Sequence, residues 1–78
     1  MKDKLRTYIT TELIKDPTYP LTDDEVIMGT LIDSFSLVQV AMFIEDTFGA
    51  HFDDSELTVE NMGTLNKMVA NIQAKLQS

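Results

Sequence analysis

The sequence predicts an all-α fold: a small four-helix bundle of three main helices and one short helix, with a long loop after the first helix. Three observations carry this expectation. Apolar residues recur at helical spacing in three separate stretches. Proline and glycine punctuate the chain where those patterns stop, at Pro17, Gly49 and Gly63. No segment shows strand-length alternation, and there is no internal repeat or low-complexity run.

The elements follow in order. Leu5, Tyr8, Ile9 and Leu13 share one helical face, with Glu12 at its edge, which predicts a first helix from Lys4 to Lys15. Asp16-Pro17 ends it, because a residue before proline is pushed out of the helical region. The connection from Asp16 to Asp33 is long and dotted with Leu21, Val26, Ile27, Met28, Leu31 and Ile32. Loops of that length in small domains are functional or packed on themselves, and these side chains predict packing on the core. Thr22 to Glu25 has the composition of a short helical turn, and Gly29 permits a sharp bend before the next element.

The strongest helical signal runs from Ser34 to Phe48. Leu37, Val40, Ala41, Ile44 and Phe48 form a broad core face, and Gly49 stops the helix. A second apolar strip emerges from the same helix: Phe35, Val38 and Met42, bordered by Gln39, Glu45 and Asp46. One core face does not need that much apolar surface. Ala50 to Asp54 reads as a turn with Phe52 anchored inward. Asp53 to Glu56 reads as a solvated turn, since its spacing lacks the features of a calcium loop. Thr58 is placed to cap a short helix over Val59 to Met62. Thr64 caps a last helix to about Leu76, striped by Leu65, Met68, Val69, Ile72 and Leu76.

Composition narrows the function. The chain has 78 residues, one domain's worth, and no cysteine, which removes disulfides, thiolate metal sites and a catalytic thiol. His51 is its single histidine, so a multi-histidine metal site is excluded; it reads as a loop residue with no assigned role. No apolar run approaches a membrane span, and the charged start shows no secretory signal. These features lead us to expect a free-standing, monomeric, cytoplasmic protein. The net charge is −7, and no Lys or Arg lies between Lys15 and Lys67. Nucleic acid and anionic membranes are disfavoured partners, whereas a basic protein partner is favoured.

At the Asp33-Ser34 junction, a polar loop gives way to the main helix. Two readings of the pair stand open. Asp and Ser are common cap residues, and Ser36 with Gln39 has capping-box spacing. Alternatively, Ser34 is an exposed hydroxyl at the positive end of a helix, where its phosphate ester would be favoured. A hydrolase using Ser34 lacks support, because nothing in the sequence brings His51 near it.

The ordered set of motifs resembles the acyl carrier protein family, together with its peptidyl and D-alanyl carriers. The text that carries the resemblance is Gly29-Thr30-Leu31-Ile32-Asp33-Ser34-Phe35. It continues through Ile44-Glu45-Asp46-Thr47-Phe48-Gly49 and into Leu57-Thr58-Val59-Glu60-Asn61-Met62-Gly63-Thr64. The resemblance implies that Ser34 is esterified by 4′-phosphopantetheine from coenzyme A, with Asp33 as the aspartate before it. A magnesium-using phosphopantetheinyl transferase would make that bond. The chain would not be an enzyme. It would carry acyl or aminoacyl groups as thioesters and present them to loading and downstream biosynthetic enzymes with basic patches. The helix after the serine would be the recognition helix, with Phe35, Val38 and Met42 as apolar contacts and Gln39, Glu45 and Asp46 around them.

Phe35 stands where the family usually has leucine, and Ser36 and Gln39 stand where acids are common. Those departures point to a specialised pathway with its own partners rather than housekeeping fatty-acid synthesis, with the cargo, fatty acyl, polyketide, D-alanyl or another aminoacyl group, left open. Met28, Met42, Met62 and Met68 could line a compliant pocket for an acyl chain, or could simply pack in the core. An alternative to the carrier role is an unmodified carrier-like helical module that acts as a protein-interaction scaffold. It would need the apolar strip but not Ser34.

Overall fold

In the computed structural model, which describes residues 1–77, the chain is all-α. Four α-helices appear in order: α1 Lys2–Tyr8, α2 Ser34–Phe48, α3 Val59–Met62 and α4 Leu65–Gln77. A π-helical segment, Ile9–Ile14, continues α1, and a 3-10 turn, Asp54–Glu56, precedes α3. Among the described residues there is no strand, only one isolated bridge between Met28 and Ile32. The body measures 34 × 21 × 20 Å.

One core joins all the helices and the long loop. Leu5 and Ile9 of the first helix meet Leu37, Val40 and Ile44 of α2, Met62 of α3, and Leu65, Met68 and Ile72 of α4. All of these are fully buried. The expected core face of α2 is therefore observed, except that Phe48 at its end is only half-buried. On α4 the stripe holds through Ile72, while Leu76 is 48% exposed because the last turn runs past the body of the core.

The first helix departs from the expectation in start and character. It begins at Lys2 rather than Lys4, and after Tyr8 it widens into π geometry. The wider turn places both Leu13 and Ile14 against the core cluster instead of Leu13 alone, and leaves Glu12 exposed. Thr10 supports the widening by donating its hydroxyl to the Arg6 carbonyl at 2.9 Å. Lys15 ends the segment in the left-handed region, φ 63°, with its N–H on the Thr10 carbonyl. Phe43, which the helical pattern left off the core face, stacks on Tyr8 with ring centroids 4.1 Å apart.

The long loop packs as expected through Leu21, Ile27 and Ile32, whereas Val26 is exposed. Thr22 to Glu25 is a turn, not a helix, closed by a Glu25 N–H to Thr22 carbonyl bond of 3.4 Å. Its groups are also tied to distant parts of the chain. The Asp23 carboxylate takes an ion pair from Lys2 at 3.1 Å and a second from Arg6. The Arg6 Nε also donates to the Leu21 carbonyl at 3.1 Å, and the Asn66 backbone N–H donates to the Asp23 carbonyl at 3.1 Å. Thus α1 and the start of α4 both hold this part of the loop.

Candidate functional site

The approach to α2 is a tight, self-bonded turn. The Ile27 carbonyl accepts from the N–H groups of Thr30, Leu31 and Ile32, the latter two at 2.9 and 3.1 Å. Ile27 itself donates to the Gly63 carbonyl at 2.8 Å, which ties the turn to the α3–α4 junction. Gly29 sits at φ 85°, a conformation that costs a side-chain-bearing residue and costs glycine little. The buried Ile32 then fixes where Asp33 and Ser34 emerge.

Asp33 is the N-cap of α2. Its extended backbone lets the carboxylate accept from the Ser36 N–H at 2.8 Å, while its carbonyl accepts from Leu37 at 3.2 Å. Hydrogen bonds from Ser36, its N–H foremost and its hydroxyl next, hold the Asp33 carboxyl below its usual pKa. The cap is thus made by Asp33 on Ser36; the Ser36–Gln39 box does not form, because Ser36 is already the third residue of the helix. Ser34 is the first helical residue and is exposed. Its hydroxyl has no hydrogen-bond partner among the described residues, so Asp33 closes the helix and leaves Ser34 free.

The second strip faces outward. Phe35 is 75% exposed, Met42 61% and Val38 43%. Gln39, Glu45 and Asp46 are exposed around them. The Tyr8 hydroxyl reaches the Gln39 carbonyl at 3.5 Å, marking one border of the strip. Two hollows adjoin it. A small cleft of about 100 Å³ lies between α2 and residues 51–57, walled by Val38, Met42, Phe52 and Leu57. An open groove of about 290 Å³ lies along the strip's other border, over Tyr8, Gln39, Met42, Phe43 and Asp46.

The methionines do not gather into one pocket. Met62 and Met68 are fully buried core residues, Met28 is half-buried, and Met42 is on the surface. The alternative reading, core packing, therefore describes Met62 and Met68.

Sequence reasoning gave His51 no role, yet it forms a defined cluster. Its Nδ1 lies 2.6 Å from a Glu45 carboxylate oxygen and its Nε2 lies 3.2 Å from one of Asp53. The left-handed turn at Gly49, φ 79°, folds the chain back and makes the Glu45 contact. Both carboxylates, Glu45 first, raise the His51 pKa above its usual value. Among the described residues no group of three or more His, Cys, Asp or Glu side chains is placed to hold a metal ion; at His51 the two carboxylates face opposite nitrogens of the ring. Nor does any described helix have the length and apolarity to cross a membrane.

No protein-family model, curated protein or solved structure matches the chain.

Proposed function

We propose that the chain is an acyl carrier protein: a carrier-type four-helix bundle that holds acyl or aminoacyl groups as thioesters on a 4′-phosphopantetheine arm at Ser34. The observation that carries this reading is the division of labour at the start of α2. Asp33 spends its carboxylate on the cap, and Ser34 presents an unbonded, exposed hydroxyl one residue later. An ester phosphate there would lie at the positive end of a 15-residue helix, where an anion is favoured. Ser34 is exposed, so nothing described stands between it and a transferase. Ser34 would hold the arm, which supplies the thiol that this cysteine-free chain lacks.

The exposed strip supports the same reading. Phe35, Val38 and Met42 form an apolar surface rimmed by Asp33, Gln39, Glu45 and Asp46, which suits partners with an apolar contact and a basic surround. On this reading the chain performs no catalysis. It displays its cargo beside the surface that partners recognise, in a specialised biosynthetic pathway.

The test is incubation with coenzyme A, magnesium and a promiscuous phosphopantetheinyl transferase, read by intact mass. Wild type should gain one phosphopantetheine, and Ser34→Ala should gain none. Unmodified wild type, under conditions that fully convert a known carrier, would sink the proposal. Recovery of only unmodified protein from the native host, with partners still captured by Ser34→Ala, would favour the scaffold role instead.

A further inference from the structure

We propose that His51 is a proton-operated latch that ties the C-terminal half of α2 to the 53–56 turn and sets the charge at the rim of the exposed apolar strip. The geometry carries the argument. A carboxylate faces each ring nitrogen: Glu45 of α2 at 2.6 Å and Asp53 of the turn at 3.2 Å. Carboxylates only accept. Both contacts are therefore hydrogen bonds only when the ring carries a proton on each nitrogen. Neutral imidazole has one N–H and must give up one carboxylate. Whichever it keeps, the bridge from α2 to the turn is cut.

The bridge spans a defined gap. Glu45 and His51 both border the small cleft whose walls are Val38, Met42, Phe52 and Leu57. Val38 and Met42 belong to the exposed strip, so the latch acts on its edge. The far side of the turn is fixed independently of pH near neutrality. Glu56 pairs with Lys75 of α4 at 2.8 Å and accepts from the Asp53 N–H at 2.8 Å. Lys75 also lies over the Phe52 ring, 4.8 Å from its centroid. The other charged groups nearby are acidic: Asp54 on the cleft, Asp46 beside Glu45, and Glu56 in its pair with Lys75. It is the two carboxylates on the ring, Glu45 first and Asp53 second, that favour its protonated form.

Closed, the latch neutralises one negative charge at the strip and holds Glu45 to the histidine. Open, it frees a carboxylate for a basic partner. This consequence rests on the carrier reading of the strip; the latch itself does not.

His51 is the single histidine, so its imidazole resonances need no assignment. An NMR titration should give a midpoint above the usual value near 6.5. Glu45→Gln and Asp53→Asn should each lower its proton affinity by roughly twofold to fivefold, as for exposed ion pairs. Methyl signals of Val38, Met42 and Leu57 should shift with the same midpoint in wild type and lose that transition in His51→Ala. A midpoint unmoved by both carboxylate variants, or methyls that ignore it, overturns the latch. With a phosphopantetheinyl transferase as the probe, the rate ratio of His51→Ala to wild type should exceed one below the midpoint and approach one above it. A flat ratio overturns the control of the strip. If wild type accepts no phosphopantetheine at any pH, the carrier reading falls while the NMR result still decides the latch.

Discussion

On its inner side α2 hides Leu37, Val40 and Ile44, and α4 hides Leu65, Met68 and Ile72. Away from the core the two helices part. The exposed side of α4 is Lys67, Ala70, Gln73, Ala74 and Gln77, with Leu76 as its one large apolar side chain, in the last turn. That of α2 carries Phe35, Val38 and Met42 within its first nine residues. The caps differ as well. Thr64 caps α4 with a buried, non-titrating hydroxyl that accepts from the Lys67 N–H at 3.1 Å, whereas Asp33 caps α2 with an exposed carboxylate. The comparison teaches that α4 hides nearly all of its large apolar side chains, whereas α2 hides one face and leaves a second apolar strip in water. On the proposed carrier reading, that strip is the area a partner would cover.

Four experiments can break or sharpen that contrast. The largest effect should come from the shared inner faces. Ile44→Ala in α2 and Ile72→Ala in α4 should each cost about 2–5 kcal/mol in urea unfolding, since both side chains are fully buried. Markedly unequal costs would mean the two helices do not share one core. Next, Thr64→Ala should cost about 0.5–2 kcal/mol, the range for a lost helix cap. It should also lower protection of the Lys67 amide, measured by hydrogen exchange.

The caps should then separate under acid. The Asp33 pKa is lowered in the folded chain, so its contribution is present above its ordinary value of 3.8 and is lost as pH falls through the lower folded value. Protection of the Ser36 amide should fall across that window while that of the Lys67 amide, capped by a hydroxyl, shows no such step. His51 has the opposite sign: its raised pKa stabilises below the ordinary value of 6.5 and stops doing so as pH rises through the folded value. The smallest effect should come from the outer strip. Phe35→Ser, Val38→Ser and Met42→Gln should each leave stability within about 0.5 kcal/mol. A large loss from any of them would mean that the side chain packs on the fold.

Much of this was legible in the chain, and what was legible was local. The bounds of α2, Ser34 to Phe48, follow from an Asp cap at one end and a left-handed glycine at the other. Those signals act within a few residues and need no tertiary partner. The Thr58 cap of α3 and the Thr64 cap of α4 are readable for the same reason. So is the surplus apolar strip, because helical periodicity alone says that Phe35, Val38 and Met42 cannot share a face with Leu37, Val40 and Ile44.

Other features depend on groups far apart in sequence, and only the assembled fold decided them. The π widening of Ile9–Ile14 sets two side chains, Leu13 and Ile14, against the core where the α pattern offered one. Phe43 became a packing residue because Tyr8 arrives to stack on it from thirty-five positions away. Thr22 to Glu25 stays a single turn, tied to the fold by bonds from α1 and α4 that no local propensity contains. The pairing of Glu45, His51 and Asp53 required the chain to reverse at Gly49. Sequence by itself determined the ends of α2 and the caps of α3 and α4, and which surfaces are apolar, since backbone capping and periodicity are short-range. Tertiary structure decided which of those surfaces are covered and which charges meet, because burial and ion pairing are settled only once distant segments share the same space.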